Sequence, residues 1–371
     1  MSKITMFNAN DSGNFKQDFI RLMAQAWDQL SNIDATSKEI TFSLPGSEDV
    51  LTLTGSGFVV DGAGNLTAGT VTGVKMVDGG KPFFSIRDIA ISAADFADTF
   101  DNGHKIDIAD LFGPMTIFGS LGGDSDGGED FLFGSSGDDV MHGNSGSDLL
   151  TGNGGADLLD GGDDKDVVSY LSGGGVTVSL FDPSRNTGDA QGDRYRDIEA
   201  VFGSEHKDSL QGDLRANIII GFRGDDKISG LRGHDLLAGG KGGDILQGGA
   251  GGDGLFGGDG LLGDGGNDTF VYTALADSTV DKPGRDEILD FNGDDKDLID
   301  LHKLDAVEGG GNDDFSFIGG DEFSALGQLR VSLKGNNTLV ELNILGNKAA
   351  DMAILLKGDH LAEIGASDFI L

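Results

Sequence analysis

The sequence has no cysteine, only five prolines and a single tryptophan. Without cysteine no disulfide framework can form, so any staple must be packing or a metal ion. With so little proline, the glycines do not belong to a collagen or a proline-rich linker. Basic residues are scarce as well: 26 lysines and arginines face 63 aspartates and glutamates, a formal net charge of -37. That charge argues against nucleic acid as a partner, because phosphate would be repelled. It also opposes a compact state unless counter-charge is bound. Long apolar runs are missing too. No stretch approaches the roughly 18 residues of a membrane span, and residues 1–14 are polar, so neither a membrane span nor a cleaved N-terminal signal is expected.

What the chain has in excess is glycine, 64 of 371 residues, where about 7% is ordinary. Glycine at that density supplies positive-φ turns. An acidic, glycine-rich chain can be a disordered tail, but here Leu, Ile, Val and Phe recur regularly among the acids. Residues 125–169 align in nines as SDGGEDFLF, GSSGDDVMH, GNSGSDLLT, GNGGADLLD and GGDDKDVVS. Position six is always aspartate: Asp130, Asp139, Asp148, Asp157 and Asp166. Position eight is always apolar: Leu132, Met141, Leu150, Leu159 and Val168. A second block from Gly203 reads GSEHKDSLQ, GDLRANIII, GFRGDDKIS, GLRGHDLLA, GGKGGDILQ and GGAGGDGLF. Its sixth positions are Asp208, Asn217, Asp226, Asp235, Asp244 and Asp253. Residues 257–262 then make a six-residue segment without the aspartate, and phase resumes at Gly263 with Asp268 and Phe270 in the diagnostic positions.

In each nonapeptide the glycine-rich six residues make a turn and the last three a short strand, with the eighth side chain pointing inward. Two nonapeptides complete an 18-residue coil, and stacked coils pair their strands in parallel. The resulting core is thin, so stability must come from stacking and bound ions. Aspartates 18 residues apart fall on one edge: Asp130 with Asp148, Asp139 with Asp157, Asp148 with Asp166, Asp208 with Asp226, Asp226 with Asp244, and Asp235 with Asp253. Carboxylates and backbone carbonyls between stacked turns form an all-oxygen cage, which suits calcium. Zinc would want His or Cys, which the turns do not supply. Asn217 keeps an oxygen but loses charge, so the site it shares with Asp235 is expected to be weaker. The short segment at Gly257 is expected to interrupt the ladder and leave Asp244 and Asp253 without upper partners. Aspartate is also an ordinary turn residue, but turn preference does not impose a nine-residue phase.

These repeats resemble the RTX nonapeptide G-G-x-G-x-D-x-U-x, a calcium-binding β-roll repeat, over about a third of the chain. The resemblance implies several calcium ions, with Asp130, Asp139, Asp148, Asp157, Asp166, Asp208, Asp226, Asp235, Asp244, Asp253 and Asp268 as ligands. Between the blocks, residues 170–202 break the phase. Val176, Val178 and Leu180 alternate like a strand and a polar loop follows, so this stretch reads as a widened coil or hairpin within one continuous roll.

From Tyr272 the repeats stop. Arg285-Asp286-Glu287-Ile288-Leu289-Asp290-Phe291, then Asp297-Leu298-Ile299-Asp300-Leu301, resemble the C-terminal domain behind the β-roll of serralysin-type metalloproteases. Strands are expected near 329–333, 338–344 and 352–356. The ending Asp368-Phe369-Ile370-Leu371 resembles an uncleaved type I secretion signal, and it also suits a last packed strand. Relatives often carry an acidic Asn-Gly-Asp-type loop near the end, whereas residues 343–351 here hold one acid, Asp351.

Residues 1–120 carry a different pattern. Phe15, Phe19, Leu22, Met23, Ala26 and Leu30 share one face of an expected helix over 14–30. Strands are expected at 40–44, at 51–53, in a hairpin over 58–66, at 71–77 and at 84–91. A short helix at 93–100 is expected to cap the roll. There is no H-E-x-x-H, so the protease half of the serralysin resemblance is missing. No G-x-S-x-G and no thiol nucleophile is present either.

The fold class read from the sequence is therefore all-β dominated: an N-terminal β-rich domain with a helix (1–120), a parallel β-roll (121–271) and a C-terminal β-rich cap (272–371). The function read is a non-enzymatic calcium-binding RTX protein. The resemblance implies type I secretion machinery as a partner and export from a Gram-negative bacterium to the outside. Residues 1–120 would then bind a cell-surface or polysaccharide ligand. The alternative is an extracellular hydrolase directed at polysaccharides or esters. Its unrecognised site would lie in residues 1–120, where Glu39, Glu48, Asp49, Asp61 and Asp88 are the available carboxylates.

Overall fold

In the computed structural model the described residues before Asp130 are the strands Ser2–Met6, Ile33–Ala35, Glu39–Ser43, Val50–Val60, Leu66–Asp78, Lys81–Ser92 and Met115–Phe118. From Asp130 onward every residue is described except 259–265, 294–295, 308–312 and 347. The expected helices at 14–30 and 93–100 lie outside the described residues, as do Glu48, Asp49 and Asp61; Glu39 and Asp88 sit on strands. Among the described residues the fold is all-β, with helical structure limited to 3₁₀ turns such as Pro183–Arg185 and Leu275–Asp277.

The chain divides into two units, Met1–Val168 with Asp189–Ile198, and Ser169–Gly188 with Glu199–Leu371. In the first, the nonapeptide strands follow the 18-residue step. Leu149 pairs with Phe131 and Val167 on one side of the roll. On the other side Leu158 pairs with Val140, and Arg194 follows it. What continues the stack before Val140–Ser145 is the strand Met115–Phe118. Ser2–Met6 joins that strand in parallel, and the sheet then turns antiparallel through Lys81–Ser92, Leu66–Asp78, Val50–Val60, Glu39–Ser43 and Ile33–Ala35. The hairpin expected at 58–66 is there, with Val60 opposite Leu66.

The second unit stacks a seven-stranded parallel sheet: Thr177–Ser179, Ser209–Gln211, Lys227–Gly233, Ile245–Gly251, Thr269–Val271, Leu298–Asp300 and Phe369–Ile370. On its other side run Ala200–Phe202, Ile218–Arg223, Leu236–Lys241, Gly254–Phe256, Glu287–Ile288 and Met352–Leu356. Met352–Leu356 then pairs antiparallel with Asn337–Asn343, which pairs with Gln328–Lys334. The three C-terminal strands expected from alternation are all present. The last residues of the chain are one strand of the stack, with Phe369 beside Ile299.

The core is a single file on each side. Leu132, Met141, Leu150, Leu159 and Val168 are fully buried in the first unit. In the second, Leu210, Ile228, Leu246 and Phe270 line one side and Ile219, Leu237 and Leu255 the other. Neither side stops at the last repeat, because Ile288 lies over Leu255 and Ile299 over Phe270, both with no exposure. Each repeat places one such side chain in the core, so burial per repeat is small and the turn edges carry much of the remaining stability.

Candidate metal centre

Each coil edge is stapled by its aspartates. Oδ1 of one position-six carboxylate accepts the backbone N–H of the position-six residue one coil earlier. The pairs are Asp130 to Asp148, Asp139 to Asp157 and Asp148 to Asp166, each at 2.8 Å. In the second unit they are Asp208 to Asp226, Asn217 to Asp235 and Asp235 to Asp253 at 2.8 Å, and Asp226 to Asp244 at 2.7 Å. One oxygen of each upper carboxylate is thus used by the backbone, and the question is what the other one meets.

Two kinds of turn answer it. In the turns at 134–139, 203–208 and 212–217 the position-two N–H donates to the position-six side chain. Ser135 donates to Asp139 Oδ2 (2.5 Å), Ser204 to Asp208 Oδ2 (2.6 Å) and Asp213 to Asn217 Oδ1 (2.7 Å). The position-two side chain in turn accepts from the position-four N–H: Ser135 from Gly137, Ser204 from His206, Asp213 from Arg215. These are ST and Asx turns, which Ser and Asp favour. In the other seven turns position two is left-handed: Asn144, Asn153, Gly162, Phe222, Leu231, Gly240 and Gly249, with φ between 62° and 107°. Its N–H no longer caps the carboxylate. At Asp157, Asp226, Asp235 and Asp253 the second oxygen is buried with no hydrogen-bond partner.

An orphaned buried carboxylate oxygen is costly. Burial first, and neighbouring carboxylates after it, push Asp226 and Asp235 from 3.8 up to about 7 and Asp157 to about 8; backbone hydrogen bonds act the other way. Asp253 rises to about 6, chiefly through burial.

The first glycine of each repeat explains where those oxygens point. A Cβ at Gly230 would sit on Asp235 Oδ2 and 2.7 Å from the carbonyl of Gly248, one coil on. At Gly221 it would meet Asp226 Oδ2 and the Gly239 carbonyl at 2.5 Å, and at Gly239 Asp244 Oδ2 and the Gly257 carbonyl at 2.5 Å. Carboxylate and carbonyl oxygens from successive coils therefore crowd one small space that only glycine leaves open. Among the described residues no three acidic or histidine side chains converge, so a cation here would take one or two carboxylates and complete its shell with carbonyls. That donor set is all oxygen and suits a large, flexible coordination sphere.

The expectation that 257–262 interrupts the ladder is corrected. Asp268 Oδ1 accepts the Asp244 N–H at 2.9 Å, and a Cβ at Gly257 would meet Asp268 Oδ2. Gly257 and Asp268 thus stand as the first glycine and the aspartate of one ladder step, with residues 259–265 between them outside the described residues. Nor does Asp253 lack an upper partner, since its N–H donates to Asp286 Oδ1 at 2.9 Å. Three ladder residues lie outside the nonapeptides. Asp193 accepts from Asp157 (3.0 Å), Asp286 from Asp253, and Asp297 from Asp268 (3.0 Å). Steps of 33 and 29 residues put Asp286 and Asp297 out of the nine-residue phase, whereas Asp193 keeps the phase, 36 residues after Asp157, but follows a stretch in which the repeats are broken. The signal that remains is an aspartate two residues before a core apolar side chain, as in Asp286 with Ile288 and Asp297 with Ile299. Asp351, by contrast, caps a turn by accepting from Ile344 and Leu345 at 2.7 Å each.

Asp235 separates the structural and ionic roles. Asp235→Ala is expected to strand the buried Asn217 N–H and cost about 1–3 kcal/mol with or without calcium. Asp235→Asn retains the acceptor and removes the charge. It is expected to unfold no more easily than the parent without calcium, yet to need more calcium to reach its folded plateau. Paired chemical denaturations, with chelator and with calcium, measure both; equal behaviour of the two variants would contradict an ionic role.

The family described as Peptidase M10 serralysin C terminal matches residues 34–371. Among solved structures, the AlgE6R2 subunit of the Azotobacter vinelandii mannuronan C5-epimerase is 29% identical, with a TM-score of 0.33, covering 43% of this chain and 91% of that one. The AlgE6R3 subunit of the same epimerase is 28% identical, with a TM-score of 0.23, covering 44% and 78%. No curated protein matches the chain.

Proposed function

Because the chain belongs to the peptidase M10 serralysin C-terminal family and is an RTX-type β-roll protein, we propose that it is a secreted calcium-binding protein whose roll folds outside the cell. The observation that carries this reading is the set of buried, unpartnered carboxylate oxygens at Asp157, Asp226, Asp235 and Asp253. They sit in turns whose first glycine leaves room for oxygens of two coils. The residues that would hold calcium are those four together with Asp148, Asp166 and Asp244 in turns of the same kind, and the carbonyls of Gly161, Gly239, Gly248 and Gly257. Asp139 and Asp208 fit less well, since a backbone N–H already occupies their second oxygen. Asp130 and Asp268 complete the ladder at 2.8 and 2.9 Å steps.

Calcium supplies the counter-charge that a chain of -37 lacks. Binding to the folded turns alone makes ion binding part of the folding free energy. Where calcium is scarce the carboxylates repel and the chain stays extended enough to be threaded through a type I exporter; where it is millimolar the roll forms. Extracellular modules of this sort need about 10⁻⁴–10⁻³ M calcium. The N-terminal strands then serve as a binding or surface-associating module.

A calcium titration of the chelated full-length protein tests this. Circular dichroism is expected to gain β-structure cooperatively, with hydrogen exchange slowing across 130–256. Magnesium, which holds its waters and demands stricter geometry, is expected to leave the chain open at the same concentration. A chelated protein that is already compact and β-structured at neutral pH would sink the reading.

A further inference from the structure

Beyond the repeats, one carboxylate reproduces the unsatisfied arrangement of the left-handed turns. Asp286 has no solvent exposure, and although its Oδ1 accepts the Asp253 N–H at 2.9 Å, its Oδ2 has no hydrogen-bond partner. The second oxygen of Asp253, in the coil directly before it, is equally without a partner. The buried Tyr272 hydroxyl faces Asp286 without a well-formed hydrogen bond. The carbonyl oxygen of Pro283 lies where a Cβ at Gly252 would stand. The neighbouring Arg285 does not answer this demand, because its guanidinium donates to the Val280 carbonyl at 3.1 Å.

Asp286 is also where the last repeats meet the C-terminal strands. Its carbonyl accepts the Leu355 N–H at 3.0 Å, and its own N–H donates to Ser278 Oγ, which donates to the Ala353 carbonyl at 2.6 Å. The next two residues, Glu287 and Ile288, pair on one side with Gly254 and Leu255 and on the other with Leu355 and Leu356. A change in the charge at this point is therefore transmitted directly to the antiparallel strands.

We propose that Asp286, which lies beyond the nonapeptides, holds a further calcium ion together with Asp253 of the last repeat, with the Tyr272 hydroxyl beside it, and that this ion locks the C-terminal strands onto the last coil. The proposal rests on the calcium reading of the roll and adds a site with its own consequence. Asp286→Asn keeps the oxygen that accepts from Asp253 and removes the charge, so the coil step is retained.

Native mass spectrometry of the full chain in calcium is expected to count one ion fewer in Asp286→Asn than in the parent. Hydrogen exchange is expected to accelerate in 337–356 and stay unchanged in 203–251. Terbium provides a second reading, since a lanthanide near a tyrosine is excited through it. Tyr272→Phe is expected to keep the ion count and lose most of the tyrosine-sensitised emission, although Tyr170 and Tyr195 remain. An unchanged ion count with unchanged exchange in Asp286→Asn overturns the site while the roll reading stands, as does full emission from Tyr272→Phe. A parent protein that binds no calcium overturns both.

Discussion

Acidifying the calcium-free protein from about pH 9 to about pH 5 is expected to restore order to the turn edges, in place of the usual loss of structure, because protons then supply the neutralisation that calcium supplies at neutral pH. The buried carboxylates have folded-state values above their ordinary 3.8: about 6 for Asp253, about 7 for Asp226 and Asp235, about 8 for Asp157 and about 9 for Asp286. Burial is the leading cause in each, with nearby carboxylates adding to it. Between 3.8 and those values the folded chain holds protons that the unfolded chain has released. Stability contributed by these groups is therefore fully present below 3.8, falls as pH rises from there, and is wholly lost once pH has passed the folded values of about 6 to about 9. Each of these groups therefore weakens the calcium-free fold as it ionises, and those on one edge act in the same direction.

With calcium the dependence is expected to reverse. The ligands must be ionised to bind, so calcium affinity falls on acidification and binding at neutral pH releases protons. Hydrogen exchange across 140–256 in a chelator pH series, with proton release followed in weak buffer, reads both halves. A calcium-free chain that is most ordered near pH 9 would contradict the assignment of these carboxylates as the buried charge that calcium offsets.

The second large effect is expected from a methyl group. Gly242 holds φ at +134°, and a Cβ there would coincide with the carbonyl oxygen of Gly224, one coil earlier. Backbone cannot retreat from backbone without opening the coil spacing, which the strands on both sides set at about 4.8 Å. Gly242→Ala therefore combines a disallowed conformation with a backbone clash and is expected to cost on the order of 3–5 kcal/mol. Since each 1.4 kcal/mol or so is tenfold in an equilibrium constant and folding takes up several ions, that loss is shared among them, and the calcium needed for folding should rise by roughly two- to eightfold. Gly174→Ala is the control, for nothing lies within 4 Å of the added carbon. Parallel calcium titrations of the two variants decide the matter; equal midpoints would mean that the stacked turns are not packed as described.

Much of the site was legible before any coordinates. A nine-residue phase with aspartate at six and an apolar residue at eight dictates two-sided coils, because only that winding puts every eighth side chain inside. The buried side chains from Leu132 to Val168 and from Leu210 to Phe270 follow from it. The division of the turns, with Ser135, Ser204 and Asp213 capping in some and Asn144, Asn153 and the glycines left-handed in others, came from the structure, although the residue types suit it. Phe222 and Leu231 carry no such mark, and their left-handed backbone is imposed by the coils above and below.

What the sequence by itself determined is the repeating unit: which residues turn, which face inward, and which chemical class of ion the turns can accept. Only the tertiary structure decided how far the ladder runs, through the step that joins Gly257 and Asp268 and on to Asp193, Asp286 and Asp297. It also decided which carboxylates keep an oxygen to spare. The physical reason is that phase is a local property, counted along the chain, whereas a partner one coil away is fixed by strand pairing across 24 to 36 intervening positions. Loops of any length can lie between, provided that the aspartate and the apolar residue two places after it arrive at the edge together.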